Sequence, residues 1–239
     1  MQQPQFDFTH KPPEVGACRT TSVVPLGDRV GAVRVEQFFN DQATALLTPF
    51  LHGDLVYERD EIGDQKLVSR ASRQGDLPDD PLVQRSSTLD ADSALAVLNT
   101  FGSSWFIEQL GDWLNTPLRM LRPPTPYRMD VGDYVEPHDD HPSPEFRLSV
   151  TYNLTANWQP GDGGETVVGL VEAVTEFDHP DFPFPLKTWT LGTGAQSLEP
   201  VFNSVLLLPL SDEQAHAVRP VRRASRYSIT TLYGDRTSH

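Results

Sequence analysis

The chain is poor in cysteine and in basic residues, and it lacks a long apolar run. Its one cysteine, Cys18, excludes a disulfide within the chain and suits a reducing compartment. Lysine and arginine number 19 against 33 acidic residues, which gives a formal net charge of -14. Such a charge disfavours nucleic acid as a substrate, because proteins that bind it present a basic face to the phosphates. The longest apolar runs, such as 94–98 and 205–208, are far too short to span a bilayer.

Targeting signals, repeats and one common zinc motif are also missing. The Met-Gln-Gln-Pro start has neither a basic segment nor an apolar segment of the signal-peptide kind, so we expect a cytoplasmic protein that does not enter a membrane. There is no internal repeat or heptad, and no HExxH sequence. With 239 residues and 21 prolines, the chain is expected to form one turn-rich domain rather than a helical bundle.

The first half of the chain predicts a supporting layer. A polar arm at 1–13 precedes two β-prone runs at 20–24 and 30–35, which a turn at Gly27 and Asp28 separates. The charged stretch 57–87 predicts a solvated loop with one or two short strands, although such a loop could also cover a binding site. Three helices are expected, beginning at Asn40 or Asp41, at Asp90 or Asp92, and near Trp105, and ending at Gly53, Gly102 and Pro117.

The second half predicts strands. Short β-prone runs with turn residues between them are typical of a sandwich or a barrel. These runs lie at 118–122, 127–131, 147–154, 165–168, 186–191, 201–209, 216–218 and 227–233. We therefore expect a mainly β domain in which 1–117 forms the arm and supporting helices, packed on one sheet, and 118–239 forms the core.

Two histidines and one aspartate are candidate metal ligands. His138 and Asp140 stand two positions apart, and alternation along a strand would point both to one face. An isolated H-x-D triplet arises often by chance, but His216 follows a dense apolar strand and offers a third ligand. Two imidazoles and one carboxylate leave open positions on an octahedral ion, which favours non-haem Fe(II). Zinc is disfavoured because HExxH is missing.

Arg226 is a candidate anion-binding residue. Its planar fork can pair with a carboxylate through two hydrogen bonds, and strand alternation places Ser228 and Thr230 on its face. The neighbouring arginines at 219, 222 and 223 are interpreted as solvated charges on a surface turn. A dicarboxylate that chelates iron at one end and contacts Arg226 at the other would fit this pattern.

The region from Tyr127 to Tyr233 resembles the catalytic core of the Fe(II)/2-oxoglutarate-dependent oxygenases, and within them the prolyl-hydroxylase-like branch. The resemblance rests on six motifs in order: Tyr127 with GDYVEPHDD at 132–140, RLSVTYNL at 147–154 with Trp158, GGE at 163–165, PVFN at 200–203, HAV at 216–218 and RYSIT at 226–230. It implies a double-stranded β-helix, a cupin-like jelly roll with the metal at its open mouth.

The same resemblance implies roles for individual residues. His138, Asp140 and His216 would bind iron, and Arg226 would bind the distal carboxylate of 2-oxoglutarate, with Ser228 or Tyr127 as a second donor. Thr151 and Asn153 would line the co-substrate pocket, although an aromatic residue often stands at the position of Asn153 in the family. Fe(II), 2-oxoglutarate and O2 would be required, and ascorbate could stimulate the enzyme.

The reaction implied is decarboxylation of 2-oxoglutarate to succinate and CO2 coupled to oxidation of a substrate. Asp140 argues against halogenation, because halogenases of this superfamily lack the carboxylate, and it leaves hydroxylation, desaturation and cyclisation open. Small molecules such as amino acids or secondary metabolites are favoured as substrates; a prolyl peptide is the alternative. A non-catalytic jelly-roll binding module is a further alternative, but such a module should have lost one of the four key residues.

Two further groups of residues are weaker candidates. Asp139 and His141 lie beside the ligand pair and could hydrogen-bond to it. The long connection at 170–198, which contains His179 and several aromatic residues, could form a lid over the substrate or could pack only against itself. Both interpretations of this connection stay open.

Overall fold

The computed structural model describes residues 22–26, 31–62, 65–71, 94–180 and 182–236. Cys18, the predicted arm, the turn at 27–28 and the expected helix start at Asp90 or Asp92 lie outside these residues. Three α-helices are described: α1 (Asp41–Pro49), α2 (Ala94–Leu98) and α3 (Ser104–Leu114). A π-helical turn (Phe50–Asp54) follows α1, and a 3-10 turn (Asn99–Gly102) follows α2. No helix among the described residues is long and apolar enough to cross a membrane.

Strands are the commonest elements in the described part of the chain. In the first half they are β1 (Ser22–Leu26), β2 (Ala32–Glu36), β3 (Tyr57–Ile62) and β4 (Lys66–Ala71). In the second half they are β5 (Leu118–Met129), β6 (Tyr134–His138), β7 (Phe146–Asn153), β8 (Thr166–Phe177), β9 (Leu186–Leu191), β10 (Gln196–Leu198), β11 (Ser204–Pro209), β12 (Gln214–Val218) and β13 (Arg226–Asp235). The expected mainly β fold is confirmed.

All described strand pairs are antiparallel. The strands follow the order β1-β2-β11-β7-β13-β5-β4-β6-β12-β8-β10, with β3 beside β4 and β9 beside β8. The order contains two groups, β2-β11-β7-β13-β5 and β6-β12-β8-β10, and β4 pairs with a strand of each. Side chains from both groups surround one cavity.

Alternation along the strands of the first group separates the core from the cavity. In β7, Leu148, Val150 and Tyr152 are buried in a cluster that also contains residues of all three helices, while Ser149 and Thr151 line the cavity. Because successive side chains point to opposite faces of a sheet, the helix-facing surface is apolar and the cavity-facing surface is polar. This strand therefore contributes to stability on one face and to the site on the other.

Two strands of the structure, β5 and β8, are longer than predicted. The runs 118–122 and 127–131 are one strand, β5, despite Pro123, Pro124 and Pro126. The first two prolines lie at a shift in the register with β13, between the pairs Leu232–Arg122 and Thr230–Thr125, where an irregular ladder tolerates the missing N–H. The run 165–168 is the start of β8, which continues to Phe177 as a hairpin with β9. Its outer half is exposed and gives no hydrophobic pattern.

The helices match the predicted positions with small differences at their ends. Asn40 caps α1, since its side-chain oxygen accepts a hydrogen bond from the backbone N–H of Ala43 at 2.8 Å. Ser103 caps α3 in the same way. Asn115 ends α3 in the left-handed conformation, two residues before the predicted stop at Pro117.

Asn203 ties the segment before α1 to the sheet. Its backbone has φ 55, and its side-chain oxygen accepts hydrogen bonds from the Phe39 N–H at 2.9 Å and the Tyr152 hydroxyl at 3.0 Å. Its side-chain nitrogen donates to the Phe39 carbonyl at 2.7 Å. These buried contacts fix the entry into α1 against β7 and β11.

We expect Asn203→Ala to lower the free energy of unfolding by about 2–4 kcal/mol, because it leaves buried polar groups unpaired. The matched control is Asn157→Ala, since Asn157 also has a positive φ, 58, but is exposed. Urea unfolding of both variants measures the difference. Equal losses in the two variants would show that backbone strain, and not the side-chain hydrogen bonds, is what matters at Asn203.

Candidate active site

The structure brings His138, Asp140 and His216 together at the cavity. His138 ends β6 and is paired in register with His216 of β12. One ligand atom from each of the three residues lies within 4.8 Å of the others. The Nε2 atoms of His138 and His216 lie 3.6 and 3.4 Å from the two oxygens of Asp140. These three side chains can therefore contact the same ion.

Asp140 reaches this group by a different route from the one predicted. The strand ends at His138, and Asp140 has a left-handed backbone with φ 51. Strand alternation therefore does not place the carboxylate. A tight turn after β6 redirects the chain, and aspartate is one of the residues that tolerate this conformation.

The electrostatics of the three residues suit a metal cation. Burial and the neighbouring His216 lower the pKa of His138 to about 4, so its imidazole is neutral at pH 7. Its Nδ1 lies 2.9 Å from the Glu136 carbonyl oxygen. If Nδ1 carries the proton and donates it to this oxygen, the lone pair of Nε2 is free to bind a metal. Burial acts to raise the pKa of Asp140, but His138 and His216 lower it well below its usual range. Neutral imidazoles and a carboxylate are the forms that bind metals.

Arg226 is buried at the start of β13. Its Nη1 donates to Ser228 Oγ at 3.3 Å, and its Nη2 donates to Asn153 Oδ1 at 3.3 Å. Its Nε has no hydrogen-bond partner. Among the described residues no carboxylate pairs with it, and burial lowers its pKa to about 10. The guanidinium is thus a cation with unused donors beside the cavity, which fits an anionic ligand.

Gly164 makes room for this guanidinium. Its backbone has φ +76, and a Cβ added there would lie 3.0 Å from Arg226 Cδ and 3.4 Å from a methyl carbon of Val221. Both the positive φ and the close approach require glycine. The second glycine of the GGE sequence therefore helps to set the position of Arg226.

The other predicted co-substrate residues differ in their access to the cavity. Tyr127, Thr151 and Ser228 line it. The Thr151 hydroxyl lies 3.2 Å from that of Thr230, and burial raises the pKa of Tyr127, so its hydroxyl is protonated. Asn153 does not line the cavity and contacts Arg226 instead. Asn153 therefore contacts the proposed co-substrate arginine, and its place in the co-substrate pocket stays a prediction.

Asp139 and His141 shape the turn that contains Asp140. An oxygen of Asp139 accepts a hydrogen bond from the His141 backbone N–H at 3.1 Å, and His141 Nδ1 lies 2.9 Å from Asp212 Oδ1. Asp212 precedes β12, which carries His216. The two residues thus join the elements that hold the ligands, rather than contacting the ligand atoms.

The cavity has a volume of about 320 Å³ and includes residues that sequence reasoning missed. Gln65 and Lys66 come from the β3–β4 hairpin, within the stretch that was expected to be mainly loop. Met129 and Arg122 come from β5. Trp189 of β9 also lines the cavity, and it belongs to the connection for which a lid was one of the two interpretations. The β8–β9 hairpin therefore reaches the site, whereas His179 is not among the residues that line it. No motif distinguishes these side chains, because hairpin geometry places them.

Comparison with known proteins agrees with this geometry. Residues 125–234 match the family model described as the 2OG-Fe(II) oxygenase superfamily. No curated protein sequence matches the chain. The match spans the strands from β5 to β13 and includes His138, Asp140, His216 and Arg226.

Solved structures of the same fold cover most of the chain. A 2OG-Fe(II) oxygenase family oxidoreductase from Burkholderia pseudomallei is 23% identical, with TM-score 0.58 and 87% of each chain covered. A prolyl hydroxylase from Trichoplax adhaerens, solved with a hypoxia inducible factor peptide fragment, is 17% identical, with TM-score 0.60 and 87% and 85% covered. A Pseudomonas putida prolyl-4-hydroxylase is 16% identical, with TM-score 0.57 and 87% and 94% covered.

The family match and the shared fold confirm the resemblance found in the sequence. The family model indicates an oxygenase enzyme of the class that uses Fe(II), 2-oxoglutarate and O2, and the solved structures show the shared fold. The His-Asp-His group fits the iron of this class, since it combines two imidazoles with one carboxylate. The likeness to the prolyl hydroxylases is a likeness of fold alone.

We expect divalent metal to stabilise the protein through these three residues. Mn(II), a redox-stable substitute for Fe(II), at about 100 times its Kd should add about 2.7 kcal/mol, or roughly 5–10 °C in Tm. Asp140→Ala and His216→Ala should lose this gain. His179→Ala, which changes a histidine outside the cavity, should keep it. A full metal-dependent shift in Asp140→Ala would contradict the site.

We expect Gly164→Ala to weaken 2-oxoglutarate binding about 10-fold, because the added methyl group displaces Arg226 by a few tenths of an ångström. The matched control is Gly161→Ala, where φ is also positive, +97, but nothing lies within 4 Å of the new Cβ. The measurement is 2-oxoglutarate saturation of the anaerobic Fe(II) enzyme. Equal weakening in both variants would show that strain alone explains the effect.

Proposed function

We propose that the protein is a non-haem Fe(II)/2-oxoglutarate-dependent dioxygenase that hydroxylates a small molecule, such as an amino acid or a secondary-metabolite intermediate. The observation that carries this proposal is one cavity that contains both the metal-ligand group and the buried Arg226. The family supplies the reaction class, and the cavity suggests the size of the substrate.

Each of the four residues has a role in this proposal. His138, Asp140 and His216 would bind iron, and Arg226 would bind the distal carboxylate of 2-oxoglutarate, helped by Ser228 or Tyr127. Thr151 also lines the cavity, and Asn153 accepts a hydrogen bond from the Arg226 guanidinium. Iron, 2-oxoglutarate and O2 together would supply the oxidising power, with succinate and CO2 as co-products. The carboxylate of Asp140 leaves no ligand position for a halide and favours hydroxylation.

The volume of the cavity supports a small substrate. About 320 Å³ lies at the lower end of the range for small-molecule pockets, and 2-oxoglutarate must share it. Trp189 and two residues of the β3–β4 hairpin, Gln65 and Lys66, also line this cavity. We also propose that the β8–β9 hairpin acts as a lid over the bound substrate.

A prolyl residue in a peptide is the second candidate substrate. Its support is the fold shared with prolyl hydroxylases, one of which was solved with a peptide fragment. In a free amino acid the groups that flank the oxidised carbon are charged, whereas in a peptide they are amides. This difference can be tested.

Three further proposals concern organisation. We infer that the chain is one domain, with 118–239 as a double-stranded β-helix formed by the two strand groups, and that the N-terminal helices support one sheet. The shared buried cluster of helices and strands supports this. The single cysteine favours a reducing compartment such as the cytoplasm.

We expect His138→Ala and His216→Ala to abolish succinate production in the presence of Fe(II) and 2-oxoglutarate. Arg226→Ala should mainly raise the 2-oxoglutarate concentration needed for half-saturation, by at least about 30-fold, since it removes one partner of a buried charged pair. Arg222→Ala is the matched control, because Arg222 is exposed. Unchanged saturation in Arg226→Ala would refute the role of the arginine. Separately, anaerobic enzyme with bound iron should show the visible charge-transfer band of a 2-oxoglutarate chelate.

A further inference from the structure

A second arginine, Arg122, lines the same cavity at a different position along the β5–β13 ladder. In the β5–β13 ladder, Arg226 is opposite Met129, whereas Arg122 is opposite Leu232. The two arginines are therefore separated by most of the length of β5. The proposed function gives Arg226 a ligand, but it gives none to Arg122.

Arg122 differs from the other arginines of its strand. Arg119 contacts Glu145 Oε2 at 3.0 Å, and Arg128 contacts Asp130 Oδ2 at 3.1 Å. Among the described residues no carboxylate lies within ion-pair distance of Arg122, although the chain has 33 acidic residues. Its guanidinium carbon lies 5.9 Å from the centre of the Phe146 ring. An aromatic ring holds one face of a guanidinium and leaves its edge donors available.

Arg122 and Asp140 line the same cavity, and Arg122 is exposed, so its edge donors are accessible to a ligand that enters the cavity. A ligand held by Arg122 would therefore share this cavity with the metal-ligand group.

The remaining charged groups of the cavity already have partners or roles. Lys66 Nζ contacts Asp60 Oδ2 at 2.8 Å. Asp140 belongs to the metal-ligand group, and Arg226 lies at the other end of the β5–β13 ladder. Glu136 is the other carboxylate that lines the cavity, and it does not form an ion pair with Arg122. Arg122 is thus the cavity cation without a carboxylate partner or a proposed ligand in the described part of the chain.

We propose that Arg122 binds a carboxylate of the substrate, so that the enzyme oxidises a small organic acid, such as a free amino acid, with its carboxylate unblocked. This inference rests on the proposed function and names its substrate class. Arg122 anchors the acid through two hydrogen bonds, and the remainder of the molecule extends toward the metal-ligand group. A peptide, whose carboxyl groups near the oxidised carbon are amides, lacks the matching charge.

The test compares carboxylic acids with their neutral amides. Anaerobic enzyme with Fe(II) and 2-oxoglutarate is titrated with free L-amino acids, with the corresponding amino-acid amides and with a blocked proline-containing peptide. Binding is followed by the change in the visible charge-transfer band, and turnover is followed by succinate release in air. The wild-type enzyme should bind at least one free acid about 10- to 100-fold more tightly than its amide.

Variants of two arginines on one strand locate the effect. Arg122→Gln should remove this preference by weakening the acid and not the amide, and Arg122→Lys should restore part of it, since it keeps the charge but not the fork. Arg119→Gln is the matched control, because Arg119 is on the same strand but outside the cavity, and it should keep the preference. The 2-oxoglutarate concentration for half-saturation is measured in each variant.

Several outcomes would overturn the inference. These are equal binding of acid and amide, an unchanged preference in Arg122→Gln, tighter binding of the blocked peptide, or failure of every acid to bind. A loss of 2-oxoglutarate binding in Arg122→Gln as large as the loss of acid binding would place Arg122 in the co-substrate site instead. Failure of the proposed function would be distinct, because the wild-type enzyme would then show neither the charge-transfer band nor succinate.

Discussion

The burial of one positive charge is the constraint on which the site depends. The Arg226 guanidinium is enclosed by strands β5, β7 and β13, and its neighbours Ser228, Asn153 and Met129 offer only neutral atoms. Removing a cation from water is costly unless an anion compensates for it. The guanidinium is nevertheless buried here, and the missing Cβ at Gly164 leaves room for the Arg226 side chain. This part of the cavity therefore fits the carboxylate ligand that we propose for Arg226.

The same strands form both the core and the site, which explains how such a cavity is kept open. Along β7 and β13 every second side chain packs on the helices, including Tyr152 and Tyr233, which are fully buried. The intervening residues, such as Thr151 and Ser228, face the cavity. Since apolar burial on the helix face stabilises the sheet, the cavity face is free to carry polar groups that contribute little to stability. Substitutions on the two faces should therefore have separable effects.

The sequence was sufficient to find the chemistry, but not the surroundings of the site. His138, Asp140, His216 and Arg226 were predicted because their residue types and order are characteristic of one reaction. The reason given for Asp140 was wrong, since a left-handed turn and not strand alternation directs its carboxylate. The strand β5 was predicted as two separate runs, because its prolines are typical of a turn. Lys66 was missed because its approach to the cavity depends on how the β3–β4 hairpin folds, which no local pattern encodes. Trp189 belongs to the 170–198 connection, for which a lid over the substrate and packing of the loop on itself were both open interpretations.

The two hairpins that contribute side chains to the cavity are held by different contacts. The β3–β4 hairpin is fixed by Arg59, whose guanidinium pairs with both oxygens of the buried Asp133 at 2.8 and 2.6 Å, next to the strand that carries His138. The β8–β9 hairpin is different, because beyond residue 171 its first strand pairs only with β9 among the described strands. Gln65 Nε2 donates to the Lys187 carbonyl and joins the two hairpins. Both hairpins are therefore held beside β6, the strand that ends at His138, since β4 pairs with β6 and β9 packs against it.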